Sequence, residues 1–216
     1  MAVSLKKGQG VSLKKTDNDL SMVTIGLGWD FQETPKKGML AGMFSKKEPE
    51  YDLDVCAFLC GADGKVPNVG RDAKGQATLV GGDVIFFNNM RHSTGNVWLT
   101  GDNRSGAGDG DGDDEQIIVK LNDLPEKFAK IAFVVQIYKG ATNGQSFGQV
   151  NNAYIRAVDG KDKEMARFDL SGGAQYETCR SMLFAELVRE PGGWKLNAIG
   201  SPSQSDSFVD WLKQYM

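Results

Sequence analysis

Histidine is almost missing from this chain: His92 is the only one among 216 residues. A zinc centre or an imidazole acid/base relay would have to be assembled around it. It sits in the turn-like stretch NMRHSTG, where a solvated loop histidine is expected. Cysteine is nearly as scarce. Cys56, Cys60 and Cys179 make an odd number, and the first two stand four apart in an apolar run rather than in a CxxC pair. All three read as reduced core residues. No stretch approaches the roughly 20 apolar residues that cross a bilayer, and the opening MAVSLKKGQG lacks the apolar run of a secretory signal, so a cytoplasmic protein is expected. Charge of one sign is not in excess either. With 25 basic and 28 acidic side chains the net charge is −3, which offers no pull toward nucleic acid or an anionic membrane. The serines lack a nucleophile elbow and the single histidine has no evident partner, so the chain reads as no enzyme. Proline- or serine-rich linkers and fixed-period repeats are also absent, which leaves one domain over residues 1–216.

Short β-rich runs are present in number, punctuated by glycine and asparagine, with gaps too short for a helix between each pair. They begin with VSLKK near Val11, MVTIGLGW, YDLDVCAFLC, DVIFFNN, NVWLTG and QIIVKL. KIAFVVQIY, NAYIRAVD, MARFDL, MLFAELV and WKLNAIG follow. The pattern predicts an all-β, antiparallel β-sandwich. YDLDVCAFLC is apolar on both faces, Leu53, Val55 and Leu59 on one and Cys56, Phe58 and Cys60 on the other, which suits a strand inside a sheet. The closing SDSFVDWLKQYM reads as a short C-terminal helix capped by Ser205, with Phe208, Trp211, Leu212 and Tyr215 on its apolar face. Residues 32–50 place Met39, Leu40, Met43 and Phe44 between lysine pairs, a candidate docking loop for a protein partner or a membrane surface.

The most distinctive segment is DNRSGAGDGDGDDE, residues 102–115. Six acids (Asp102, Asp109, Asp111, Asp113, Asp114, Glu115) stand against Arg104, a local charge of −5 that leaves the rest of the chain at +2. Unit charges about 4 Å apart repel by roughly 4 kcal/mol at an effective dielectric near 20, a cost that a bound cation removes. Aspartates separated by glycines suit a hard, oxygen-seeking ion, with backbone carbonyls such as that of Gly108 as further ligands. Calcium fits best, because it accepts loose oxygen geometry and the loop holds no soft ligand. An EF-hand is excluded: Asp114 stands where that loop needs glycine and Lys120 where it needs glutamate. Asp52 and Asp54, two apart on a strand, direct both carboxylates to one face about 6.6 Å apart at Cα. Asn88 and Asn89, closing DVIFFNN, offer neutral carbonyl oxygens, although asparagines there also suit a turn. One to three calcium ions are expected. A carbohydrate or small-molecule module, with Trp29, Trp98 or Trp194 as a platform and the metal only structural, is the competing reading, and a metal-assisted hydrolase the third.

VTIGLGWD, YDLDVCAFL, FFNN, TGDNRSGAGDGDGDDE and GQSFGQVNNAYIRAVD occur in this order, followed by ARFDLS, YETCRSMLFAELVRE and GGWKLNAIG. Together they resemble the TerD family of tellurium-resistance and stress-response proteins over nearly the whole chain. The resemblance implies a non-enzymatic β-sandwich that binds calcium through the DLD pair and the acidic loop. It also implies a cytoplasmic stress system in which the protein meets membrane-associated components. The chain departs from the family pattern in a longer insertion at 32–50, an extended 65–80, and one extra Gly-Asp step beside Ala107. That step leaves open which of Asp109 and Asp111 takes the usual ligand place.

Overall fold

The computed structural model describes residues 2–31, 52–100, 112–169 and 174–216. Asp102, Gly108, Asp109, Asp111 and the docking segment 32–50 lie outside them. Two six-stranded sheets stack face to face. In the first, β1 (Val3–Leu5) lies beside β10 (Glu164–Asp169), then come β9 (Val150–Val158), β3 (Val23–Phe31), β7 (Glu115–Val119) and β6 (Val97–Leu99). The second runs β2 (Gly10–Lys14), β12 (Gly193–Ser203), β11 (Ser181–Glu190), β8 (Lys130–Ile137), β4 (Leu53–Cys60) and β5 (Val84–Ile85). All these pairings are antiparallel except β1 with β10, so the expected sandwich is present.

Alternation sets which faces meet. Val23, Ile25, Leu27 and Trp29 of β3 point into the core between the sheets, as do Ile117 and Val119 of β7. Burial of each such side chain stabilises by about 1.5–3 kcal/mol. β4 is buried at all eight positions. Leu53, Val55, Ala57 and Leu59 enter the inter-sheet core, and Cys56, Phe58 and Cys60 enter a second core on the outer face, as the sequence predicts.

The second core is roofed by α2 (Phe208–Leu212), which tightens into a 3-10 turn over Lys213–Tyr215. Phe208, Trp211, Leu212 and Tyr215 pack there, and the Trp211 indole donates to Ser181 Oγ at 2.8 Å. Ser205 is not the cap. Ser207 holds that position, while the Ser205 hydroxyl accepts Ser207 N–H and donates to Asp210. Val66 and Val69, from the extended stretch after β4, join the same core. Among the described residues, the edge strand β1, the helical turn α1 (Gly140–Asn143) and the 3-10 turns at Phe147–Gln149 and Ala174–Tyr176 have no forecast in the sequence. DVIFFNN shortens to a two-residue strand, because Phe86 and Asn89 close a turn by exchanging backbone hydrogen bonds.

Candidate functional site

β4 and the residue just before it carry the first pair of carboxylates, Asp54 and Asp52. The even-numbered residues of β4 face β8 with their backbone groups, and the odd-numbered ones face β5, where Leu59 N–H bonds Asp83 O at 2.9 Å. β5 covers only Ala57 and Phe58, so the Val55 N–H lies beyond its end. Glu115, the first residue of β7 in the opposite sheet, supplies the missing acceptor: Val55 N–H donates to Glu115 Oε2 at 2.5 Å. Glu115 is 2% exposed. One buried carboxylate therefore ties the end of the acidic segment to the strand that carries Asp54 and follows Asp52.

Asp52 and Asp54 line one cleft of about 430 Å³, as their spacing predicts. Phe87, Asn88, Met90, Leu99 and Tyr138 complete its wall. Asp54 Oδ2 accepts from Gln136 Nε2 at 3.0 Å. Beneath them burial pushes the Cys56 thiol well above its ordinary value, and the charges of Asp54 and Glu115 push the same way. Asn89 does not join this wall. Its Oδ1 holds Gly81 N–H and its Nδ2 donates to Gly82 O and Val84 O, so the carbonyl oxygen offered above as a ligand serves the turn. Asn88, its neighbour, is the asparagine beside the carboxylates.

Asp114 accepts Trp29 N–H at 2.9 Å, and its own N–H reaches Leu27 O at 2.8 Å, which pins the segment to the end of β3. Burial raises the Asp114 carboxyl above 3.8; the Trp29 N–H opposes this, and the charges of Asp30 and Asp113 reinforce it. Asp30 is a member of this acidic rim that sequence reasoning left out. It accepts from Asn152 Nδ2 at 2.6 Å, where Asn152 adopts a left-handed backbone (φ 50) beside an irregularity in the β3–β9 pairing. The amide-rich GQVNN stretch was a signal of polar surroundings, but only the pairing places Asn152 on Asp30.

Asp113 turns to the outer face of the first sheet. Its Oδ1 accepts from Arg156 Nε at 2.8 Å and from the Tyr154 hydroxyl at 3.2 Å, and its Oδ2 from Gln116 Nε2 at 3.1 Å. The glycines of the GLGW motif make the room: a Cβ on Gly26 would meet Asp113 Oδ2 at 2.0 Å, and one on Gly28 would meet the Tyr154 ring at 2.4 Å. Asp113 therefore has its charge matched by arginine and acts as an anchor for the segment.

These carboxylates are hard oxygen donors, the right chemistry for calcium. Among the described residues, however, no three acidic, histidine or cysteine side chains lie close enough together to hold an ion. Any complete shell draws further oxygens from elsewhere.

His92 departs from expectation. It is 3% exposed rather than solvated, with Nε2 at 2.9 Å from Asp83 Oδ1. Nδ1 stands 2.8 Å from Thr94 Oγ1 and 3.2 Å from Thr94 N, an arrangement suited to the neutral tautomer that donates from Nε2 to Asp83. Trp29 and Trp194 are buried at 2% and 0%, so neither can serve as a ligand platform; Trp98 is half-buried between Arg91 and Lys120. Among the described residues no helix is long and apolar enough to cross a membrane.

A family model described as the TerD domain matches residues 1–215. The chain is 64% identical over 216 residues to the tellurium resistance protein TerX of Serratia marcescens, covering all of both chains. It is 38% identical to general stress protein 16U of Bacillus subtilis, over 94% of this chain and 92% of that one. A solved structure of a telluride resistance protein (TerD) homologue from Streptomyces coelicolor superposes with a TM-score of 0.62 at 20% identity, covering 91% of this chain and 98% of that one. At that identity the likeness concerns the fold alone.

Proposed function

This chain belongs to the TerD domain family, and from that premise we propose that it is a calcium-binding, non-enzymatic protein of tellurium resistance and stress response, working in the cytoplasm. Calcium binds through Asp52 and Asp54 together with carboxylates of the segment 102–115, and orders that segment into a surface for a protein partner among membrane-associated stress components.

The observation that carries this reading is the Glu115–Val55 bond, which brings the end of the most acidic segment to the strand that carries Asp54 and follows Asp52. Asp114 supports it. A carboxyl raised by burial and by two neighbouring carboxylates marks a place where negative charge is crowded, and a divalent cation relieves that crowding. The non-enzymatic part rests on His92, whose imidazole is buried and closes its own turn through Thr94. Titration calorimetry with calcium on the wild-type chain and on Asp54→Asn tests the proposal. Saturable binding in the wild type, weakened at least tenfold in Asp54→Asn, is expected, and no heat in either sinks it.

One observation favours a second reading, a small-molecule module with a structural metal. Phe87, Met90 and Tyr138 are each about 40% exposed and wall the cleft above Asp52 and Asp54. If that reading holds, Phe87→Ala abolishes ligand binding and leaves calcium affinity unchanged.

A further inference from the structure

Asp54 is connected to the C-terminal helix through one side chain. Its register partner on β8 is Gln136, whose Nε2 donates to Asp54 Oδ2 at 3.0 Å. The same amide accepts at Oε1 the N–H of Phe208, the first residue of α2, at 2.7 Å. Asp54, Gln136 and Phe208 are exposed by only 7%, 4% and 6%, so water is a poor substitute for a lost bond between them. An amide that donates to a carboxylate is polarised into a better acceptor, which makes the two hydrogen bonds cooperative.

The surroundings place the two ends of this link in different clefts. Asp54 lines the cleft described above, while Gln136, Ser207 and Phe208 line a second of about 270 Å³. Phe87 and Tyr138 border both, with ring centres 6.3 Å apart. The Phe208 ring packs 5.2 Å from Phe86 and 6.3 Å from Phe58.

We propose that Gln136 is a positioning residue that couples the charge state of Asp54 to the docking of the C-terminal helix, so that a cation taken at Asp54 is felt at Phe208 and in the second cleft. The cation's role rests on the calcium reading above; the link between the three residues does not. Neutralising the carboxylate, by an ion or by Asp54→Asn, weakens the polarisation of Gln136 and loosens its hold on Phe208 N–H.

Amide hydrogen exchange at residues 207–212, read by NMR in calcium-free wild type, Asp54→Asn, near-isosteric Gln136→Met and the double variant, tests this. Asp54→Asn is expected to speed exchange at Phe208 about tenfold, Gln136→Met at least as much, and the double variant no more than Gln136→Met alone. Amides of β11 serve as the reference for global stability. Wild-type exchange at Phe208 in folded Asp54→Asn overturns the link, as does simple additivity in the double variant. Should Gln136→Met fail to fold, the Asp54→Asn result decides alone. Calcium added to the wild type should move Phe208 in the same direction, and calorimetry on the same samples separates the two ideas. Bound calcium with Phe208 unmoved overturns the coupling. Absence of binding sinks the calcium reading and leaves the Asp54→Asn comparison to decide the link.

Discussion

At three residues the fold imposes a distinct cost, electrostatic at Asp114 and His92 and steric at Gly26. Asp114 is raised in the fold, so its contribution favours the folded state at low pH and is lost as pH rises through its folded value. Asp114→Asn should therefore raise the calcium-free melting midpoint at pH 7 by about 1–2 °C relative to wild type. That gain should shrink as the pH falls toward the ordinary carboxylate value of 3.8, which paired melting curves would follow. Taking the difference between the variants cancels Asp19, Asp159 and Asp210, whose lowered carboxyls act in the opposite sense in both. His92 is a second case. Removing it leaves the Asp83 carboxylate buried without its donor, and His92→Leu should cost about 3 kcal/mol in urea unfolding. A cost below about 0.5 kcal/mol would instead fit a solvated loop residue. Gly26 is the third. Alanine there must displace the Asp113 carboxylate from Arg156, at about 1–3 kcal/mol measured the same way.

At the scale of elements, what matters is how strand ends are joined. β5 stops after two residues, and Glu115 of the facing sheet takes over the β4 edge that it leaves uncovered. Glu115→Ala should strand the Val55 N–H and cost about 2 kcal/mol, with amide exchange at Val55 rising in step with the lost stability or faster. The strands were legible in the sequence wherever alternation or a continuous apolar run was strong: β3, β4, β8 and β11 fall where VTIGLGW, DLDVCAFLC, KIAFVVQI and MLFAELV place them. β1 was not legible, since Val3–Leu5 is three residues long and only Leu5 is buried. The Asp52/Asp54 cleft followed from a spacing of two on a strand. Val55–Glu115, Asp30–Asn152 and Asp113–Arg156 join residues far apart in the chain, and no local pattern encodes them. Ser205 and Ser207 are equally good caps by residue type, so backbone geometry alone chooses between them.

For the whole molecule, the sandwich gathers negative charge from both sheets, with Asp52 and Asp54 at the start of β4 and Asp30, Asp114 and Glu115 where β3 ends and β7 begins. The crowding at Asp114 and the cross-sheet bond of Glu115 are the observations behind the proposal of an ion that offsets this charge. The central claim is tested most directly by the thermal midpoint of the purified chain, with calcium on one side and a chelator on the other. With calcium about a hundredfold above its Kd, linkage gives roughly 2.7 kcal/mol of added stability, or about 5–10 °C for a chain of this size. A midpoint that rises by that amount with calcium, and falls back with the chelator, is the predicted result. An identical midpoint in millimolar calcium and in chelator would contradict the account.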